Sequence, residues 1–245
     1  TTTITSGTYT PMAKLQSNGT AYEGMLYEFN GTTATYKSDW NVSTTNNREP
    51  AFLTGMEDDT GYINYIQGIT SSPIPSENEL KTGYKSVVQS VQKYGGFYVG
   101  RYELGLEGTN PVSKPASATV ITANASQDST KSWYGLYSKC KSFSANNLTS
   151  TMMWGSQYDA MMNWMAKTGK TVGTADSSKY NTAQTTGSKE EDIINNVKDL
   201  YGCHYEWRVE AYDTYSRDSR GGSFGDSIPA SNRYYDNPRY TSDDD

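Results

Sequence analysis

The final 34 residues, Tyr212–Asp245, constrain the fold more than any other stretch of this chain. Twenty of them are Tyr, Ser, Asp or Asn, and Ile228 is their sole large aliphatic residue. A segment with so little apolar surface has almost nothing to bury, so it is expected outside the core. Yet it follows the most core-like run of the sequence, Leu-Tyr-Gly-Cys-His-Tyr-Glu-Trp at 200–207. Tyr, Ser, Gly, Asn and Asp are the residues of antibody-type binding loops. Tyr brings a large, stiff, amphipathic contact area at low entropy cost, and the small polar residues adapt their hydrogen bonds. The five tyrosines and four arginines of this tail separate it from disordered tails, which are poor in aromatics. It reads as a binding surface laid over a scaffold.

The scaffold has 245 residues, enough for one large domain or two small ones. Its 21 Tyr and 5 Trp supply most of the aromatic content, so packing is expected to rest on rings, with aliphatic side chains in a minor role. The net charge of −6 and the lack of any basic run argue against a nucleic-acid partner. No apolar stretch approaches the ~20 residues of a membrane-spanning helix, and no contact with a membrane is expected from this segment. Cys140 and Cys203 read more readily as free thiols than as a disulfide, because cysteine density is far below that of a stapled fold.

Along the chain, Met25–Phe29 and Thr32–Tyr36 flank Asn30-Gly31, the pair that favours a type I′ hairpin turn. A helix is expected over 76–94, with Ser76 as N-cap, Glu79 at the capping-box position and Gly95-Gly96 as the stop. Leu80, Tyr84, Val87, Val88, Val91 and Tyr94 would form its apolar face. Residues 97–103 read as a strand and 105–130 as loop, with one further strand over Ala118–Thr122. Trp133–Phe143 reads as helix or turn. A second helix is expected over 154–168, capped by Ser156, apolar at Tyr158, Met161, Met162, Trp164 and Met165, and closed by Gly169. A last strand covers Tyr205–Val209. Residues 1–60 form an N-terminal β-hairpin extension packed on the main domain. Residues 61–245 read as the main, ligand-binding domain, with 212–245 as its binding face. Strands and helices do not alternate regularly, so the class is α+β, with two helices, a small antiparallel sheet and extensive ordered loops.

Several of these stretches resemble one known pattern. Gly-Gly-Phe-Tyr-Val-Gly-Arg-Tyr-Glu at 95–103 is similar to the segment that opens the formylglycine-generating-enzyme-like branch of the C-type lectin fold. Trp154–Trp164 resembles that branch's second helix. Asn196–Trp207 resembles its Asn-…-Gly-Asn-…-Glu-Trp hallmark, and Arg-Gly-Gly-Ser-Phe at 220–224 resembles the Arg-Gly-Gly motif that follows it. The resemblance implies a C-type-lectin-like fold. One kind of protein on this fold is catalytic and uses paired cysteines late in the domain, and this chain has none after Cys203. The other kind is the variable protein of diversity-generating retroelements, displayed on phage tails and bacterial surfaces. In that kind the C-terminal part is diversified by substitution at adenines, chiefly in AAC-type codons, which leads to Ser, Asp, Tyr, Thr, Ile, His, Gly or Phe.

The resemblance therefore implies an extracellular, non-enzymatic binder of a protein or glycan receptor. Tyr215, Phe224, Tyr234, Tyr235 and Tyr240 would be the aromatic anchors, where binding energy concentrates. Ser216, Asp218, Ser219, Ser223, Asp226, Ser227, Asn232, Asp236, Asn237 and Arg239 would set specificity. Glu206, Trp207, Arg220, Gly221, Gly222 and Arg233 would be scaffold. An enzyme of the formylglycine-generating-enzyme-like fold and a structural tail subunit are the alternatives. No cofactor is expected. Asp58, Asp59 and Asp243–Asp245 are the candidate oxygen donors for a structural calcium ion. His204, the only histidine, reads as a packed core residue. Glu103 and Glu206 read as buried acids held by backbone amides or by an arginine such as Arg101 or Arg220, more readily than as an acid–base pair.

Overall fold

The fold is known from a computed structural model that describes residues 27–29, 34–36, 74–108, 110–114, 119–120, 132–145, 148–170, 173, 186–187, 193–201, 204–211, 216–223, 225, 227, 229–230 and 234–236. In chain order the elements are β1 (Tyr27–Phe29), β2 (Ala34–Tyr36), α1 (Glu77–Tyr94), β3 (Leu104–Glu107), β4 (Asn110–Ser113), β5 (Thr119–Val120), α2 (Trp133–Ser142), β6 (Ser144–Ala145), β7 (Leu148–Thr149), α3 (Gly155–Lys167), β8 (Glu206–Ala211), β9 (Arg217–Arg220) and β10 (Tyr234–Asp236). The class is α+β. Among the described residues, every sheet is small and antiparallel: β4-β3-β5, β10-β9-β8, and the two hairpins β1-β2 and β6-β7. Among the described residues, no helix is long and apolar enough to cross a membrane.

Helix α1 starts and stops where its sequence dictates. The Ser76 hydroxyl accepts from the Glu79 amide at 3.1 Å, and Gly95 takes φ 80 with its amide on the Val91 carbonyl. The Glu79 carboxylate turns instead to Lys141 of α2. Leu80 and Tyr84 are fully buried, while Tyr94, read as the end of the apolar face, is 72% exposed. Helix α3 begins at Gly155, and its cap differs from expectation. The Trp154 amide donates to the Gln157 side chain at 3.0 Å, whereas Ser156 lies inside the first turn and bonds the Tyr84 hydroxyl at 3.1 Å. It ends in a Schellman arrangement, Gly169 N–H to Ala166 and Lys170 N–H to Met165, with Gly169 at φ 74. Tyr158, Met161 and Met165 are buried, but Trp164 faces outward.

One strand expectation and one loop expectation fail. Residues 97–103 belong to no ladder, and the chain bends at Arg101 and Tyr102. Their backbone groups are taken elsewhere: the Arg101 carbonyl by the Lys198 amide, both polar groups of Tyr102 by the Ser113 hydroxyl, and the Glu103 amide by Thr186 Oγ1. The strand begins one residue later, at Leu104. The supposed loop from 105 holds a hairpin, β3–β4, turned at Gly108 (φ 61). Pro111 is tolerated in β4 because that strand is the sheet edge. The N-terminal hairpin forms, yet Phe29 pairs with Ala34, so the connection is longer than a two-residue Asn-Gly turn. The Asn30-Gly31 turn itself lies outside the described residues. Helix α2 is a third helix where helix or turn was expected.

The core is aromatic, as composition demands. Tyr84 meets Trp154 at 4.7 Å between ring centres, and Trp133 packs edge-on to Tyr134 and face-on to Tyr137, both at 5.1 Å. A second cluster joins Tyr158, Met161, Met165, Ile194 and Leu200. Cys140 carries a free thiol, which burial pushes up to about 12. Cys203 lies outside the described residues.

Candidate ligand-binding face

The tail enters the interior before it reaches the surface. Strand β9 is the central strand of the β10-β9-β8 sheet, and Arg217, Asp218, Ser219 and Arg220 are all buried. This overturns the expectation that the tail has nothing to bury. Its arginines are the payload. The Arg217 guanidinium lies 4.1 Å from the Trp133 ring centre and donates to the Val209 carbonyl at 2.6 Å. Arg220 lies over Tyr158, 5.4 Å from its ring centre, with its Nε on Asp218 Oδ2 at 3.1 Å and Asp159 Oδ1 3.4 Å away. Arg208 of β8 also lies over Tyr158, at 4.2 Å. A guanidinium is weakly hydrated and flat, so a ring face and a carboxylate can replace much of its water.

Strand β8 is built to receive this cargo. Trp207 pairs with Ser219 and Ala211 with Arg217, so β8 has extra residues between the two pairs. The polar groups of that bulge are satisfied outside the ladder. The Arg208 carbonyl accepts from Trp133 Nε1 at 2.8 Å, the Val209 amide donates to Met153, and the Val209 carbonyl takes Arg217. The bulge thus ties the sheet to α2 and to the entry of α3.

Four expected specificity residues are therefore misplaced. Ser216, Asp218, Ser219 and Ser223 are buried, with exposures of 6% or less. Asp218 neutralises Arg220, and Ser219 pairs across the sheet with Trp207 on one side and Tyr234 on the other. Ser227 is exposed. Tyr234 and Tyr235, on the outer strand β10, are 44% and 50% exposed. Asp236 pairs with Arg217 at the end of β10. Tyr215, Phe224, Asp226, Asn232, Arg233, Asn237, Arg239 and Tyr240 lie outside the described residues.

The two exposed tyrosines are not isolated. Tyr205 stacks on Tyr234 with ring centres 5.0 Å apart and planes 13° from parallel, and Tyr234 stacks on Tyr235 at 5.5 Å and 25°. The sequence reading had left Tyr205 out of the face. Its signal was alternation: Tyr205 lies two positions before Trp207, on the same side of an extended chain.

Glu206, Glu103 and Asp199 form a group of mutually interacting acids. Glu206 lies 3.6 Å from Arg208, the partner in place of the expected Arg101 or Arg220; Arg101 instead bonds Asn196. Burial pushes the Glu206 carboxyl up to about 8 against the opposing pull of Arg208. Burial, then the neighbouring charges of Asp199 and Glu206, hold Glu103 well above the usual carboxylate range. Asp199, itself at φ 55, accepts from the Thr186 hydroxyl and the Gly187 amide. His204 is buried, and burial lowers its pKa despite the Asp199 charge nearby. Gly221, assigned to scaffold, has a specific reason to be glycine. It adopts φ 94, and a Cβ there would stand 2.2 Å from Glu206 Oε2. Gly222 is buried beside it at φ 79. Among the described residues, no group of three His, Cys, Asp or Glu is arranged to hold a metal ion. Asp58, Asp59 and Asp243–Asp245 lie outside them.

No protein-family model, curated protein or solved structure matches the chain.

Proposed function

We propose that this chain is a receptor-binding protein. In this reading a C-type-lectin-like scaffold of the formylglycine-generating-enzyme-like branch displays a diversified face on a bacterial surface or phage tail. The observation that carries the reading is the division of labour within the tail. Its central strand is locked by buried arginines over Trp133 and Tyr158, while its outer strand holds half-exposed tyrosines on that rigid base. Rigid aromatic anchors on a preorganised support are what tight recognition needs, because little entropy is then lost on binding.

Within this reading, the exchangeable positions are fewer than composition alone implied. Ser227, Tyr234 and Tyr235 can vary without touching the core. Asp218, Ser219 and Ser223 cannot. Two experiments test this. The adjoining DNA should contain a near-copy of the tail-coding segment that differs at adenines of the exposed codons; differences concentrated at the codons of Arg217–Arg220 would refute the assignment. Arrays of bacterial surface proteins and glycans should yield a target whose binding is lost in Tyr234→Ser/Tyr235→Ser, with the melting temperature nearly unchanged. A large loss of stability in that variant would make these tyrosines core.

A further inference from the structure

A separate cluster of donors lies on the scaffold. We propose that Arg101, Asn196 and Lys198 form a binding site for a tetrahedral oxyanion, a phosphate or sulfate group, free or carried as a monoester. None of the three belongs to the tail, so the site stands whether or not the tail binds a receptor. It is built on a tight turn. Ile194 and Val197 exchange both backbone bonds, at 2.9 and 2.8 Å, and Asn195 and Asn196 between them take φ 49 and 67, the positive values that a two-residue turn of this kind requires. Asn195 Nδ2 ties the turn to the end of α3 through Thr168 Oγ1 at 2.8 Å. Asn196 Oδ1 accepts from Arg101 Nη2 at 2.9 Å, and the Lys198 amide donates to the Arg101 carbonyl at 3.0 Å. The Lys198 stem lies against Gly187, where a Cβ would stand 2.7 Å from its Cδ. Both cations sit by one ring, with Arg101 Cζ 5.9 Å and Lys198 Nζ 5.6 Å from the centre of Tyr102.

What these side chains offer decides the guest. Asn196 has given its oxygen to Arg101 and has its amide hydrogens left, and Arg101 and Lys198 carry donors without an acceptor. A set made only of donors suits a group made only of acceptors. A neutral sugar, whose hydroxyls need acceptors as well, is a poor match. Among the described residues, no carboxylate pairs with either cation, whereas Lys81, Lys114 and Lys141 each hold one. The acids beside them in sequence are committed elsewhere. Asp199 is buried on the Thr186 hydroxyl and the Gly187 amide, and Glu103 interacts with Asp199 and Glu206. Arg101 is exposed, so an anion reaches it from solvent. Cations from two chain segments match a group with oxygens on several sides, whereas a flat carboxylate is satisfied by one guanidinium fork. The net charge of −6 opposes any loose attraction of anions, so binding here comes from direct contact with these three side chains.

The test titrates the full chain by calorimetry with inorganic phosphate, sulfate, glucose 6-phosphate, glucose and acetate at matched ionic strength. Phosphate, sulfate and glucose 6-phosphate should bind at one saturable site and raise the melting temperature, and glucose and acetate should do neither. Arg101→Gln and Lys198→Gln should each weaken phosphate about tenfold, the scale of one charge-assisted hydrogen bond, with the circular dichroism spectrum unchanged. Asn196→Asp keeps the shape of the turn but sets a carboxylate on Arg101, and should abolish binding. Lys198→Arg keeps the charge and should keep binding, which separates loss of the site from loss of the fold. Lys81→Gln, at a lysine already paired with Glu77, should bind as wild type. Tighter binding of glucose 6-phosphate than of phosphate assigns the guest to a monoester and the reverse order to the free ion; either upholds the site. No saturable binding of any of the three, equal phosphate affinity in wild type and in the two Gln variants, or acetate held as tightly as phosphate overturns it. None of these outcomes involves Tyr234 or Tyr235, so the receptor-binding reading stands or falls by its own experiments.

Discussion

Gly221→Ala is the sharpest probe of how the tail is seated. Two costs add. The backbone at Gly221 has φ 94, in the region L-residues avoid, which costs about 1–2 kcal/mol for a residue with a Cβ. The new methyl would also stand 2.2 Å from Glu206 Oε2 and 2.9 Å from its Cδ. The carboxyl group is the end of a side chain and can turn aside, but doing so takes it from the Nη2 end of Arg208, 3.6 Å away on a side chain 4% exposed, while Nη1 keeps its bond to the Trp207 carbonyl. An unsatisfied buried group of this kind costs about 1–3 kcal/mol or more. The sum is about 2–5 kcal/mol, read as a fall in the urea midpoint with the slope unchanged. Glu206→Ala supplies the second half of a double-mutant cycle. In that background the obstacle is gone, so Gly221→Ala should cost only the backbone share, with a coupling of about 1–3 kcal/mol. Gly225→Ala is the control. Its nearest atom would be Ser223 Oγ at 3.7 Å, an ordinary contact, and stability should move by less than about 0.5 kcal/mol. A Gly221→Ala loss below about 1 kcal/mol, or the same loss with and without Glu206, would refute this account of the seat.

Three other outcomes follow from the same geometry. Asp218→Ala removes the carboxylate bonded to Nε of the buried Arg220 guanidinium and should cost about 3–5 kcal/mol in denaturant unfolding; a change under about 1 kcal/mol would make Asp218 exchangeable after all. Trp133→Leu removes the ring under Arg217 and the Nε1 bond to Arg208 and should cost about 3–5 kcal/mol, read by thermal melting. Stability should decline as pH rises from about 5 to about 8, offset in part up to about pH 7 by His204, whose lowered pKa adds stability as the unfolded imidazole loses its proton. Folded Glu206 keeps its proton up to about 8 while the unfolded chain releases it near the ordinary carboxylate value, and Glu103 shifts in the same direction. The slope per raised acid is at most about 1.4 kcal/mol per pH unit. Glu206→Gln should flatten part of it, and a wild-type curve that climbs through this range would contradict the raised values.

Local signals told the truth where the chain obeys local rules. Ser76 and Gly95 bounded α1, and Gly169 closed α3, because caps depend on a few neighbouring backbone groups. The reliance on rings was legible from 21 tyrosines set against few aliphatics. Strand placement was less legible. Phe97–Glu103 has strand composition, yet Ser113, Thr186 and Lys198 take backbone bonds that a ladder would need. Those partners lie far off in sequence, so no window centred on residue 97 contains them. Ser156 looked like a cap and was drawn off by Tyr84 from another helix.

The tail shows the same limit at the site. Its sequence by itself determined that the segment would carry tyrosines, small polar groups and alternating charge, and that any burial of it would have to be of polar groups. Only the tertiary structure decided which of them go in. Whether an arginine is costly or stabilising inside depends on what waits there. A Trp133 or Tyr158 face and an Asp218 or Asp159 carboxylate replace lost water only when α2, α3 and β9 bring the rings to 4.1 and 5.4 Å and the carboxylates to 3.1 and 3.4 Å. Those distances are a property of the packed whole, which is why composition placed Ser219 and Asp218 outside and the sheet placed them at its centre.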